Sequence, residues 1–409
     1  MPKSNRSSSK AFIFIVLVFL ISRVFIYTVS YLGDNLFCKY NQVPTYNTIP
    51  GTQTRVISLP YNVSGTHLTS LKDFIKFDSD FYLQIAENGY DNYKMSEKHP
   101  AANFPFFPLY PLLISFIHTI APLGYSLIGY ILSNVFAILG LYFLYQIVME
   151  LTSESEIAKR AVIYMLLYPA SIYLSLIYTE SLFIFLSTMT VYFLLKKKIG
   201  LSILFASISS ITRIPGIANL LLIAFYLFRE SGFNIRKIKL KYWGWLILSG
   251  MPLLSFFTYM WAHTGDFFAV FHELENWGRT AKTPFVAYLN YFKEITFFTG
   301  WDLAIASFIF TTMALVIYIY YFAKGSEIHK KLRPELALYG LVLILIPLSS
   351  ATGTMTSMVR YYMASFPLFI AAAHIGYKSH IADFFFTLLF LSFNVIYTIG
   401  YINGFYFVV

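Results

Sequence analysis

Apolar runs recur along the whole chain, at about residues 11–32, 124–148, 161–178, 180–195, 199–212, 215–228, 243–263, 302–323, 335–350, 360–376 and 380–402. A helix rises about 1.5 Å per residue, so crossing a hydrocarbon core of about 30 Å takes roughly 17–25 apolar residues. The pattern predicts an all-α polytopic membrane protein with about 11 transmembrane helices, forming a single integral domain over 1–409. The runs 199–212 and 215–228 are short and separated by Thr212-Arg213-Ile214-Pro215, so they read as two spans or as one broken segment. Phe104 to Pro122 is apolar as well, but Pro105, Pro108 and Pro111 crowd its start. It is read as a helix lying in the membrane interface.

Charge orients these runs. Lys and Arg collect at Lys3, Arg6 and Lys10, at Lys159 and Arg160, at Lys196–Lys198, at Arg229 with Arg236 to Lys241, at Lys324 to Arg333, and at Lys378. Short basic loops stay cytoplasmic, and counting 104–122 as a span would put Lys196–Lys198 on the wrong side. The N-terminus is therefore expected inside, and two long connections, 33–122 and 264–300, are expected on the extracytoplasmic face. The net charge of +10 is a topology signal and not a nucleic-acid footprint. Composition agrees: 12% charged residues is about half of what a soluble domain carries, and mean hydropathy is +0.62. The single cysteine, Cys38, excludes an intrachain disulfide and a cysteine metal cluster. The basic start and the run to about Leu32 read as a retained first helix, being longer than a signal-peptide core.

Polar groups suited to chemistry gather in the connections assigned outside. Asp78 and Asp80 lie close together beside apolar sequence, where one of them can serve as a general base. The bland alternative is a pair of solvated acids, or a helix starting at Asp78 and ending at Gly89. Glu180 is an isolated acid between two apolar runs, costly unless paired, functional or capping a helix. Arg213 ends outside, against the positive-inside bias, so a counter-charge is expected: a substrate phosphate, Glu180 or Asp78. Arg360 and Tyr361 form a similar candidate. His272, Glu273 and Glu275 have weak metal-ligand spacing and read as a solvated amphipathic segment. Arg23, in the middle of the first run, has to pair internally or meet a lipid head group. There is no P-loop, Gly-rich nucleotide fingerprint or nucleophile elbow. Acids and arginines at a membrane face suit a reaction on a phosphate-linked lipid.

Several of these residues sit in recognisable segments. Phe77-Asp78-Ser79-Asp80-Phe81-Tyr82-Leu83-Gln84-Ile85-Ala86-Glu87-Asn88-Gly89-Tyr90, Phe106-Phe107-Pro108-Leu109-Tyr110-Pro111-Leu112, Tyr168-Pro169-Ala170 with Tyr178-Thr179-Glu180-Ser181-Leu182-Phe183, and Thr212-Arg213 occur in the order seen in PIG-V-type mannosyltransferases. The chain resembles that family over roughly 70–220, with Phe77 where the family usually has Trp. Gly265-Asp266, Trp277-Gly278-Arg279 and Arg360-Tyr361-Tyr362 look like bacterial relatives. The resemblance implies a GT-C glycosyltransferase that moves mannose with inversion from a polyprenyl- or dolichyl-phosphate donor to a lipid-linked glycan. Eukaryotic members add the second mannose of the GPI precursor in the endoplasmic reticulum lumen; a bacterial homologue would work at the cytoplasmic membrane on another acceptor. It implies the base within Asp78 and Asp80, with Asp78 favoured. Arg213, Arg360, Tyr361 and Arg279 are then donor-binding, and Glu180 orients the acceptor or an arginine. No cofactor or metal is expected, and the partners are membrane lipids, the donor and a glycolipid or glycan acceptor. Asn62-Val63-Ser64 is a glycosylation sequon. The rival expectation is a flippase or transporter without transferase activity; the inverted repeats typical of transporters are not evident.

Overall fold

The computed structural model describes residues 3–37, 39, 45–48, 55–58, 67–276, 279, 283–291, 304–328, 331–349, 355 and 357–408. Cys38, the Asn62-Val63-Ser64 sequon, Trp277-Gly278 and the start of the run at 302 lie outside these residues. The first half of the chain forms α1 (Lys3–Leu36), α2 (Asp78–Asn88), α3 (Leu109–Ile120), α4 (Tyr125–Thr152), α5 (Ser155–Leu167), α6 (Glu180–Leu195), α7 (Ile199–Ser210) and α8 (Ile217–Glu230). The second forms α9 (Leu240–Leu248), α10 (Met251–Thr264), α11 (Ala269–Asn276), α12 (Val286–Tyr291), α13 (Ala304–Ile328), α14 (Arg333–Leu348), α15 (Met358–Met363), α16 (Phe366–Lys378) and α17 (His380–Ile402). A short antiparallel ribbon, β1 (Thr45–Thr48) with β2 (Arg55–Ser58), pairs Thr45 with Ser58 and Thr48 with Arg55. The Thr-, Val- and Ile-containing segments there favour strand, and the described structure is otherwise helical, as expected.

Among the described residues, four helical stretches are long and apolar enough to cross a membrane: Ser9–Leu36, Tyr125–Thr152, Leu240–Thr264 and His380–Ile402. Leu109–Ile120, Glu180–Leu195, Ile199–Ser210 and Ile305–Tyr321 are apolar but shorter. Helix length thus supports a multi-pass membrane protein without carrying a count of eleven spans. Prolines account for much of the difference. The run read as 161–178 stops at Leu167, because Pro169 pushes Tyr168 into extended backbone, and a 3-10 turn follows from Pro169 to Leu174. All six residues of that turn are buried, which is how irregular backbone survives at membrane depth. The run at 360–376 is likewise divided, with Pro367 in the first turn of α16.

Polarity is inverted relative to a water-soluble bundle. Leu17, Ile21 and Val24 of α1 and Ile381, Phe384 and Leu388 of α17 face outward, while Ser181, Ser187, Thr188 and Thr190 of α6 are buried. The interior α6 packs on α4 and α7, and α16 on α5, α13 and α17. Ion pairs pin the helices: Arg160 Nε and Nη2 hold Asp383 at 2.8 and 3.1 Å, joining α5 to α17. Arg229 Nε meets the buried Glu335 of α14 at 2.5 Å. Arg23 pairs internally, donating to the Ser171 carbonyl at 2.9 Å and the Ser175 hydroxyl at 3.1 Å.

The turn between α7 and α8 carries Arg213. Here the chain folds back so closely that a Cβ on Gly216 would overlap the Ser209 carbonyl. Asn219 locks the turn by donating to the Ser209 and Ser187 hydroxyls, both at 2.9 Å. Gly216→Ala therefore forces backbone apart and is expected to cost at least the roughly 1–3 kcal/mol of an overpacked core. Gly124→Ala, which meets open space, is the control. Thermal unfolding in detergent should show a lowered midpoint for the first and not the second; equal midpoints would mean the turn is free to relax.

Candidate active site

The site begins with a strained residue. Phe77, immediately before α2, has φ 58° and ψ −127°, a conformation that bulky L-residues avoid at a cost of about 1–3 kcal/mol. Its ring packs edge-on against Tyr401 and Tyr406, with centroids 5.7 and 5.4 Å away. The kink starts α2 abruptly, so Asp78 is its first residue and Gly89, at φ 83°, ends it. Residues two apart on a helix point about 200° away from each other. Asp78 and Asp80 consequently diverge.

Asp78 Oδ2 accepts from Arg360 Nη1 at 2.7 Å, a contact spanning 282 positions of sequence. Asp80 is exposed, and its carboxylate makes no hydrogen bond or ion pair among the described residues; partial desolvation raises it above the ordinary carboxylate range. Glu180, the first residue of α6, is buried and serves two arginines. Its Oε1 is 2.6 Å from Arg213 Nη1 and 3.7 Å from Arg360 Nε. The closer contact is an ion pair whose angle misses hydrogen-bond geometry, so Glu180 Oε2, Arg213 Nη1 and Arg360 Nε are buried polar atoms without a hydrogen-bond partner among the described residues.

Tyr361 gathers a third arginine. Arg279 Nη1 donates to its hydroxyl at 2.5 Å, and the guanidiniums of Arg213, Arg279 and Arg360 stand 5.7, 5.5 and 5.2 Å from its ring centroid. Arg360 also lies 5.5 Å from the rings of Tyr173 and Tyr178. Cations over aromatic faces are held without being neutralised. Three guanidiniums thus face two carboxylates, and the site keeps an excess positive charge suited to an anion.

The structure therefore brings Asp78, Glu180, Arg213, Arg279, Arg360 and Tyr361 together and leaves Asp80 aside. Tyr173 and Tyr178 do not stand out in the sequence, although they lie within or beside the Tyr168 and Tyr178-Thr179-Glu180 segments. One expectation is corrected. Glu273 is buried rather than solvated: it accepts from the Ala102 N–H at 2.7 Å and from Asn276 at 3.1 Å, beneath the first long connection. His272 turns the other way, to Asp266 at 2.5 Å, and Glu275 is exposed, so the three share no ligand centre.

The profile of the family described as mannosyltransferase (PIG-V) matches residues 12–271. The chain belongs to the PIG-V mannosyltransferase family. That makes it a membrane glycosyltransferase and sets aside the transporter reading. No curated protein matches the chain in sequence. ArnT from Cupriavidus metallidurans, in a structure bound to undecaprenyl phosphate, superposes with a TM-score of 0.51 at 10% identity, covering 96% of this chain and 76% of that one. At that identity the likeness shows the fold, which is the GT-C fold. The apo oligosaccharyltransferase of Archaeoglobus fulgidus gives a TM-score of 0.47 at 11% identity, with 94% of this chain spanning 55% of that one.

If Glu180 holds the two arginines, Glu180→Ala leaves buried guanidiniums uncompensated and should cost about 3–5 kcal/mol. The double change Glu180→Ala with Arg213→Ala should recover part of that loss, a coupling readable by a thermal double-mutant cycle. Strict additivity of the two single changes would show that the pair is not energetically linked.

Proposed function

We propose that this PIG-V family member transfers mannose from a polyprenyl- or dolichyl-phosphate donor to a hydroxyl of a lipid-linked glycan. Transfer proceeds with inversion, on the extracytoplasmic or lumenal face. The observation that carries this reading is the contact of Asp78 with Arg360 inside a cluster of excess positive charge. One Asp78 oxygen is fixed by the guanidinium, which leaves the other to take the acceptor's proton. The acceptor oxygen then attacks the anomeric carbon from the face opposite the phosphate, and the carbon–oxygen bond to the phosphate breaks. The leaving prenyl phosphate gains one negative charge as it departs.

Arg213, Arg279 and Arg360 are placed to receive that charge, and guanidinium forks match phosphate oxygens. Glu180 keeps two of them in position between turnovers. Tyr361 orients all three by its ring and anchors Arg279 by its hydroxyl. No step in this scheme requires a metal. The sidedness follows from the charge pattern of the connections. ArnT's complex with undecaprenyl phosphate and the shared fold support a prenyl-phosphate donor here.

Purified protein in detergent, given polyprenyl-phosphate mannose and glycolipid acceptors, tests the assignment. Asp78→Asn is expected to lower kcat by roughly 10²–10⁴-fold while retaining fold and donor binding. Asp80→Asn should stay close to wild type. The reverse ranking would move the base to Asp80, and no turnover of any prenyl-phosphate sugar would sink the transferase chemistry written here. Arg360→Lys keeps the charge but loses the fork, and should depress kcat together with a rise in KM for the donor.

A further inference from the structure

A second feature runs along α8, with its basic mouth at the end away from Arg213. A cavity of about 460 Å³ opens between α8, α9 and α14, walled by apolar and aromatic side chains such as Leu222, Trp243, Leu246 and Val342. That size is in the range of small-ligand pockets. It exists because α9 stands off the bundle: none of the nine residues of α9 is buried, and Trp245 over Gly200 is its seat on α7. A cavity walled in this way does not hold ordered water. Within a membrane, a hydrocarbon chain fills it.

The mouth says which kind of chain. The elbow joining α8 to α9 runs Ile235-Arg236-Lys237-Ile238-Lys239-Leu240-Lys241. Ile235 and Ile238 line the cavity, while the interleaved Arg236, Lys237, Lys239 and Lys241 are all exposed. None of these four pairs with a carboxylate among the described residues, whereas the neighbouring Arg229 is spent on Glu335 and Glu230. Asn234 stiffens the elbow by accepting from the Arg236 N–H at 3.0 Å. Phe233 and Leu240, both exposed, flank the cations as apolar anchors.

We propose that this is a binding site for an anionic phospholipid, with one acyl chain in the cavity and the headgroup phosphate on the basic elbow. A basic rim around an apolar intramembrane pocket selects anionic headgroups over zwitterionic ones. The bound lipid fills the gap between α9 and the bundle and so steadies α8, whose other end bears Arg213. The site is separate from the mannose-transfer chemistry and stands whether or not that reading holds.

Trp243, in the cavity wall, supplies the readout. The full-length protein in phosphatidylcholine nanodiscs is given increasing mole fractions of phosphatidylglycerol with dibrominated acyl chains, with brominated phosphatidylcholine for comparison. Phosphatidylglycerol should quench tryptophan emission at a far lower mole fraction, and Trp243→Phe should lose that lipid-specific part. Replacing Arg236, Lys237 and Lys239 by Gln should weaken the preference by about a hundredfold, from an attraction of about 1 kcal/mol per cation. Raised salt on the unaltered protein should shrink it in the same direction, independent of any folding defect in the variant. Identical curves for the two lipids, or a preference indifferent to both salt and the substitutions, would overturn the site. Displacement of the brominated lipid by equimolar polyprenyl phosphate would overturn it as well, giving the cavity to the donor's own chain.

Discussion

A single buried carboxylate organises this molecule's polar centre. Glu180 sits where α6 begins, with Arg213 at 2.6 Å on one side and Arg360 at 3.7 Å on the other. Each of these groups alone would be too costly to hold away from water. Together they fix the starts of α6, of the turn before α8 and of α15 relative to one another. Arg360 then passes the constraint on to Asp78 and thereby to α2. The helices around this knot are joined by ordinary apolar packing and by peripheral pairs such as Arg160 with Asp383.

The backbone on both sides of that last contact is held away from its preferred geometry. Phe77 and Ser357 both have positive φ, 58° and 68°, and each precedes the short helix that delivers one partner of the Asp78–Arg360 pair. Strain of this kind persists only where the surroundings over-determine it. Here the surroundings are the tyrosines. Tyr401 and Tyr406 brace Phe77, and Tyr173, Tyr178 and Tyr361 brace Arg360. The high aromatic content of the chain has a local purpose in these two clusters.

Much of this is legible in the sequence. Apolar runs and basic loops are dictated by the bilayer itself, so membrane class and helical character follow directly. Glu180 is among the expected partners of Arg213 because an acid and a cation stranded in apolar sequence have few other ways to be satisfied. The pairing of Asp78 with Arg360 is not legible, since it joins residues 282 positions apart through tertiary packing. Helix breaks at Pro169 and Pro367 vanish into continuous apolar runs, because hydropathy does not register backbone geometry. Glu273 misleads for a related reason. Its exposed neighbours His272 and Glu275 make the segment look solvated, and only the fold brings the Ala102 N–H over it.

The separation of Asp78 and Arg360 along the chain also bears on biogenesis. A polypeptide inserted from its N-terminus presents Asp78 and Glu180 to the membrane long before Arg360 has been synthesised. Arg213 follows Glu180 closely enough to shield it early, through the turn at Gly216. Asp78 has no such early partner and must wait on the water side until α15 is in place. The Asp78–Arg360 contact can therefore close only after α15 has been made, so the polar centre is completed late in assembly.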